Sequence, residues 1–265
     1  MKKSFGQHLL TDTSYLKKII SLIDLSDKDE VLEIGAGTGN LTYELSKKVK
    51  NVYAVELERT ILKQLYSNLK SANVKNVEVI ESNFLKIDLK SIFKEKFKII
   101  GNIPYNITTP ILLKILGDWG APADHLDLLE DVYLMVQLEV AERFVAKPST
   151  KAYSPISILI QYYCKPEILF KVPKVAFYPP PKVDSAFVRF KPNKNRETIS
   201  NPEIVGKVIR TAFQQRRKKV INSLEKLFSE KSRLKEIFDK LKLDENLRAE
   251  NLSIKDFISL AEYLG

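Results

Sequence analysis

Apolar and polar residues recur along this chain in two rhythms, and the change from one to the other divides it. In the first two thirds, short apolar runs alternate with stretches of helical period. Leu16, Ile19, Ile20 and Ile23 form a helical stripe. Glu30–Ile34 predicts the first strand, followed by a glycine-rich turn and a helix near 40–49. Residues 52–55 predict a second strand, and Ile61, Leu62, Leu65 and Leu69 the helix after it. Residues 77–80, 97–101 and 132–136 predict three more strands. Thr109-Pro110 reads as a helix N-cap with proline in the first turn. Strands that alternate with helices predict a mostly parallel sheet covered by helices.

The second rhythm starts near residue 165. Residues 167–172 and 183–190 read as two strands around a proline-rich loop, too close for a helical crossover, so they are expected to run antiparallel. A polar linker follows at 191–201. Beyond it Ile204, Val205, Val208, Ile209, Ala212 and Phe213 keep a 3.6-residue period. Leu224, Leu227 and Phe228, then Leu234, Ile237, Phe238 and Leu241, continue it. Ser253-Ile254-Lys255-Asp256 resembles a capping box before a last helix. The expected organisation is an α/β domain over 1–192 and a small all-α domain over 193–265.

Composition narrows the function. The chain has 265 residues, 44% of them apolar, enough for one large domain and a small one. No apolar run approaches the about 18 residues of a membrane span. Met1-Lys2-Lys3-Ser4 leads into polar residues rather than an apolar signal, which points to the cytoplasm. Cys164 alone makes no disulfide, and with only His8 and His125 beside it no metal site is expected. The net charge is +10, and residues 193–265, with 16 Lys/Arg against 11 Asp/Glu, carry half of it. Such an excess favours a polyanionic partner such as nucleic acid.

Candidate chemistry gathers at strand ends. Gly35-Ala36-Gly37-Thr38-Gly39 follows the first strand, where glycines let a ligand approach the backbone. The dinucleotide fingerprint fails, because Asn40 and Thr42 stand where glycine or alanine is needed. The tighter spacing fits an S-adenosylmethionine pocket, where no pyrophosphate must be bound. Glu56 ends the second strand, placed to accept hydrogen bonds from ribose hydroxyls. Asn83 follows the third, placed at an adenine edge, with Leu57 and Phe84 as apolar walls. Asn102-Ile103-Pro104-Tyr105 follows the fourth. The amino group of adenine is a poor nucleophile because its lone pair is delocalised. Acceptors at the Asn102 side chain and the Ile103 carbonyl would hold its N–H bonds and free that lone pair. Pro104 would fix the turn, and Tyr105 could stack on an extruded base. The plain alternative is a strand ending in an ordinary turn. Arg216-Arg217-Lys218-Lys219 is the densest basic run, expected on a helix, with Lys2, Lys3, Lys147 and Lys151 as further phosphate contacts.

Taken together, these residues resemble the rRNA adenine N6,N6-dimethyltransferase family, most of all its bacterial small-subunit (KsgA-type) branch. The similarity spans nearly the whole chain. Ser4 to Leu10 resembles the family's cofactor-covering segment, which implies His8 and Leu10 on the cofactor, and Asn102 beside it. Glu139 to Arg143 and Lys151 to Ser154 resemble its central segments. Phe177 with Pro179 to Ser185 resembles the loop that supplies a second ring beside the base. Phe213 to Lys218 and Arg248 to Ser253 resemble signatures of its helical domain. His8 stands where Asn is frequent, Leu9 where Phe is usual, and Asn83 where Asp is usual. The resemblance implies a Rossmann-like sheet of seven strands with a small helical RNA-binding domain, and S-adenosyl-L-methionine as cofactor. It implies a monomer that dimethylates two adjacent adenines near the 3′ end of 16S rRNA in an immature small subunit.

Other functions stay open at this point. A large-subunit adenine methyltransferase shares the Asn-Ile-Pro-Tyr segment. A DNA methyltransferase fits the helical tail less well. A non-catalytic assembly factor would have no need of Asn102, Tyr105, Gly35 and Glu56. His125, among acidic residues, reads as a surface residue, and Trp119 as a packing or turn residue. Cys164, Tyr162, Tyr163 and Phe170 read as core.

Overall fold

In the computed structural model, which describes residues 8–228 and 231–264, seven strands form one sheet. They are β1 (Glu30–Ile34), β2 (Asn51–Glu56), β3 (Val77–Glu81), β4 (Phe97–Asn102), β5 (Leu129–Gln137), β6 (Cys164–Val172) and β7 (Ser185–Pro192). Their order is β3-β2-β1-β4-β5-β7-β6. The first five are parallel, and β7 runs antiparallel to β5. Central β4 and β5 are near-continuous apolar runs because helices cover both faces of a parallel sheet. Edge strand β3 is only partly buried. Each fully buried Ile or Leu in this core, such as Ile99, Ile100 and Leu134, adds about 1.5–3 kcal/mol.

Helix α1 (Thr13–Leu22) precedes the sheet, and α2 (Asn40–Ser46), α3 (Arg59–Ser71), α4 (Leu89–Ile92) and α5 (Thr108–Leu116) lie between its first five strands. In α1, Asp12 caps the first turn by accepting from the Ser14 amide at 2.9 Å. In α3, Ile61, Leu62, Leu65 and Leu69 are the buried face, as their spacing predicts. Lys98, the second residue of β4, is almost fully buried, which is tolerable because its ammonium donates to Asp29 Oδ2 and the Asp24 carbonyl, each at 2.7 Å.

His125 departs from expectation. It is 5% exposed, with Nε2 donating to the Ile115 carbonyl at 3.0 Å. That carbonyl lies in the last turn of α5 and has no intrahelical partner, so the ring turns inward to satisfy it while Asp124 and Asp127 face water. Burial pushes the imidazole pKa down from its usual value.

The chain forms two compact units. The first holds the sheet, running to Leu116 and through Ala123–Ala141 and Lys165–Pro192. The second takes in the chain from Asn193 on, and beyond the expected 193–265 it also includes Gly117–Pro122 and Glu142–Cys164. Its helices are α7 (Pro155–Tyr163), α8 (Pro202–Phe213), α9 (Val220–Leu224), α10 (Lys231–Lys240) and α11 (Ile254–Glu262), while α6 (Leu138–Phe144) runs across the division. Trp119, buried as expected, explains why the earlier segment belongs here: a Cβ on Gly206 of α8 would lie 2.6 Å from the Trp119 Cβ. Cys164 is buried, and Ser253 and Asp256 form the predicted capping box.

Candidate active site

The sheet order reverses at β1, which has β2 on one side and β4 on the other. Open α/β sheets bind ligands at that point, beyond the carboxyl ends of the strands. Ile34 pairs with Gly101, so the glycine turn after β1 faces Asn102 at the end of β4. Gly35 has φ +74°, and a Cβ there would lie 3.1 Å from the Asn102 carbonyl oxygen. Gly37 has φ +57°, and a Cβ there would meet Leu9 Cδ2 at 2.9 Å. Neither position accepts a larger residue without strain or a shift of the opposing wall.

Glu56 is 2% exposed and fixed by backbone amides. Gly37 N–H donates to Oε2 at 2.9 Å, and Leu57 and Glu58 N–H donate to Oε1 at 2.8 and 2.9 Å. These three bonds hold the carboxylate in one orientation at the crevice, with both oxygens acting as acceptors.

Asn102 is held in the same way. Its Nδ2 donates to the His8 carbonyl at 2.8 Å, which commits the amide's donor end and leaves Oδ1 as a free acceptor among the described residues. Ile103 is buried behind it, and Pro104 at φ −60° opens the short turn Tyr105–Ile107. The Tyr105 hydroxyl lies 2.5 Å from Ser185 Oγ, a fully buried side chain at the start of β7. Burial raises the Tyr105 pKa, so the phenol stays neutral at physiological pH. The His8 ring stacks on Tyr105 at 5.6 Å between centroids, and its Nδ1 donates to the Pro179 carbonyl at 2.6 Å.

His8, Gly35, Gly37, Glu56, Asn102, Ile103, Pro104 and Tyr105, all expected site residues, line one hollow together with Leu9. An adjoining hollow shares Leu9, Gly35, Gly37 and Asn102 and adds Leu10, as expected. Leu57, Asn83 and Phe84 lie outside both. Asn83 Oδ1 accepts from the Leu85 amide at 3.0 Å as a cap, and its Nδ2 remains available as a donor. Phe84 is buried and Leu57 is largely exposed.

Phe177, expected as a ring beside the base, is 2% exposed, belongs to the core cluster with Leu10 and Phe187, and makes no ring contact with Tyr105 among the described residues. Pairing with Leu10 turns it inward. The basic run is also placed differently: 214–219 form the turn between α8 and α9, not a helix. Arg217, Lys218 and Lys219 are exposed there, whereas Arg216 donates through Nε to Glu250 Oε2 at 2.7 Å and through its Nη2 to the Lys151 carbonyl. Arg216 is thus a structural staple. Lys147 and Lys151 are exposed; Lys2, Lys3 and Ser4 to Gln7 lie outside the described residues.

Glu33 escaped the sequence reasoning. This β1 carboxyl is 1% exposed, lines the second hollow, and leaves Oε2 without a partner among the described residues. Burial, reinforced by the charge of Glu56, pushes its pKa up to about 8. Its signal was an acid among the apolar residues Val31, Leu32 and Ile34 of the strand. Ser185 also escaped, since nothing near it in sequence points to Tyr105. Among the described residues no group of three or more His, Cys, Asp or Glu side chains is arranged to hold a metal ion.

Comparison with known proteins gives concordant results. The family model described as "Ribosomal RNA adenine dimethylase" matches residues 1–265. The chain is 38% identical over 267 aligned positions to the ribosomal RNA small subunit methyltransferase A of Francisella tularensis subsp. novicida, covering 100% of this chain and 97% of that protein. A dimethyladenosine transferase from Plasmodium falciparum superposes with a TM-score of 0.79 at 28% identity, over 96% of each chain. The 23S rRNA methyltransferase ErmE shares the fold, with a TM-score of 0.73 at 24% identity over 97% of this chain and 99% of that one.

Proposed function

The chain belongs to the ribosomal RNA adenine dimethylase family, and from that premise we propose that it uses S-adenosyl-L-methionine to dimethylate N6 of two adjacent adenines in the 3′-terminal hairpin of 16S rRNA. The observation that carries this reading is the Asn102 amide, tied down by its donor end beside a glycine turn and an amide-locked acid. The donor fits the crevice: the turn is open where a Cβ would intrude, and Glu56 is oriented to accept from a ribose. Asn83 would offer Nδ2 to an acceptor nitrogen of its adenine ring. When bound, the donor supplies a methyl group on a positively charged sulfur.

The protein's own residues position the nucleophile. Asn102 Oδ1 and the Ile103 carbonyl accept the two N–H bonds of the target amine and free its lone pair for attack. Asn102 is a neutral carboxamide and removes no proton. The proton leaves for water after transfer, when the nitrogen carries positive charge. Tyr105, already stacked by one planar ring, holds the base in place. Phosphate binding falls to Arg217, Lys218 and Lys219, with Lys151 and Lys147 as further contacts. We further propose that the protein acts as a cytoplasmic monomer on immature small subunits; no described helix is long and apolar enough to cross a membrane.

The test is mass spectrometry of rRNA after under-methylated small subunits are incubated with protein and labelled donor. Dimethyladenine at two adjacent positions of the hairpin is expected; label confined to large-subunit rRNA, or none, overturns the proposal. Replacing Asn102 with Ala should lower turnover by about a hundredfold or more and leave RNA affinity within about twofold. Equal losses in both would remove Asn102 from the chemistry.

A further inference from the structure

We propose that Tyr178 is a stacking platform, on a basic lip of the crevice, for the nucleotide next to the extruded adenine. The inference rests on the adenine-methylating reading above and assigns a place to a part of the RNA that reading leaves open.

The short antiparallel pair of Leu9–Leu10 with Phe177–Tyr178 sets the direction of the ring. Leu9 opposes Tyr178, and Leu10 opposes Phe177. Directly opposed residues project from the same face of such a pair, and successive residues from opposite faces. Leu10 and Phe177 go into the core, at 7% and 2% exposure. Leu9 and Tyr178 therefore share the other face. Leu9 shows where that face looks, because it lies against Gly37 and lines the hollow with Glu56, Asn102 and Tyr105. Tyr178 stands on the crevice side, and its neighbour Pro179 accepts the hydrogen bond from His8.

Tyr178 is 68% exposed and Val175 on the same loop 78%, more than any other large apolar side chain described. Folding gains little from a ring left in water. Lys174 and Lys182 flank the ring in sequence, both exposed and neither in an ion pair with a described residue. The acid between them and β7, Asp184, has Oδ1 engaged by the Lys174 backbone amide at 2.9 Å. An exposed aromatic ring among cations suits a nucleic-acid strand. Extruding a base also strips a stacking partner from its neighbour, and a ring at the crevice mouth can replace that partner.

Full-length protein is tested on under-methylated small subunits and on the hairpin RNA carrying 2-aminopurine either at the target or at the adjoining position. Tyr178→Ala is expected to raise KM for RNA about tenfold, the effect of losing one aromatic–base stack, with donor affinity retained; Tyr178→Phe should restore it. The adjoining probe should be quenched by the unaltered protein and stay bright with Tyr178→Ala. A KM within twofold of the unaltered protein overturns the inference. So does a loss of donor binding shared by the Ala and Phe variants, since Tyr178 would then only hold the Leu9 pair together. Failure of the target probe to brighten with unaltered protein overturns base extrusion itself, a separate result from failure at the adjoining position.

Discussion

At the scale of single residues, positions near the site are set by partners far away in sequence. The Asn102 amide takes its orientation from a carbonyl 94 residues earlier, and the Tyr105 phenol from a hydroxyl 80 residues later. Asn102, Tyr105 and Glu56 were legible beforehand because their types at strand ends imply acceptors and a stacking ring. Their anchors were not, because no local spacing records pairings at that range. Ser185 can be tested as a positioning residue. Removing one hydrogen bond of this kind costs about 1 kcal/mol, so Ser185→Ala should lower kcat/KM for RNA about fivefold with donor affinity unchanged. Tyr105→Phe should match it, and the double variant should be no worse than either single one. Additive losses measured in that cycle would mean that the two hydroxyls act independently.

At the scale of elements, strands were the most legible feature and turns the least. Buried parallel strands such as β4 show as apolar runs, and the glycine turn announces itself by composition. The basic run misled because four consecutive charges carry no periodicity. Packing decides their fates: Glu250 and the Lys151 carbonyl claim Arg216, and the turn exposes the next three. The directions of Phe177 and Tyr178 were hidden for a related reason, since inward or outward depends on pairing with a segment some 170 residues away, by the 171-residue separation of His8 and Pro179. The Arg216 pair is half-exposed and should contribute at most about 1 kcal/mol. Arg216→Gln should therefore lower the melting temperature by about 2–4 °C and leave the salt dependence of RNA binding unchanged. Arg217→Gln with Lys218→Gln should do the reverse, flattening the log–log salt slope by about one for each phosphate no longer neutralised. Filter binding across salt concentrations, run beside thermal melts, separates the two roles.

At the scale of the whole molecule, two buried titratable groups of the sheet unit pull stability in opposite directions with pH. Glu33 has its folded pKa raised from 4.5 to about 8, so the native state holds a proton that the unfolded chain releases. Its contribution is complete below about pH 4.5 and is lost as pH rises toward 8. His125 has its folded pKa lowered from 6.5, through burial first, with Lys114 adding to the shift and the Ile115 carbonyl, Asp124 and Asp88 opposing it. Its contribution is complete above pH 6.5 and is lost as pH falls through the folded value. Together they predict a dome with falling limbs on both sides. Glu33→Gln keeps the shape of the side chain and cannot ionise, so it should raise the melting temperature at pH 8 more than at pH 5. His125→Gln should flatten the acid limb and leave the alkaline one in place. Thermal denaturation of the three proteins from pH 5 to pH 8.5 reads both effects. An alkaline limb unchanged by Glu33→Gln would mean that the acid in β1 is already ionised in the folded protein, with a compensating cation or water beside Oε2.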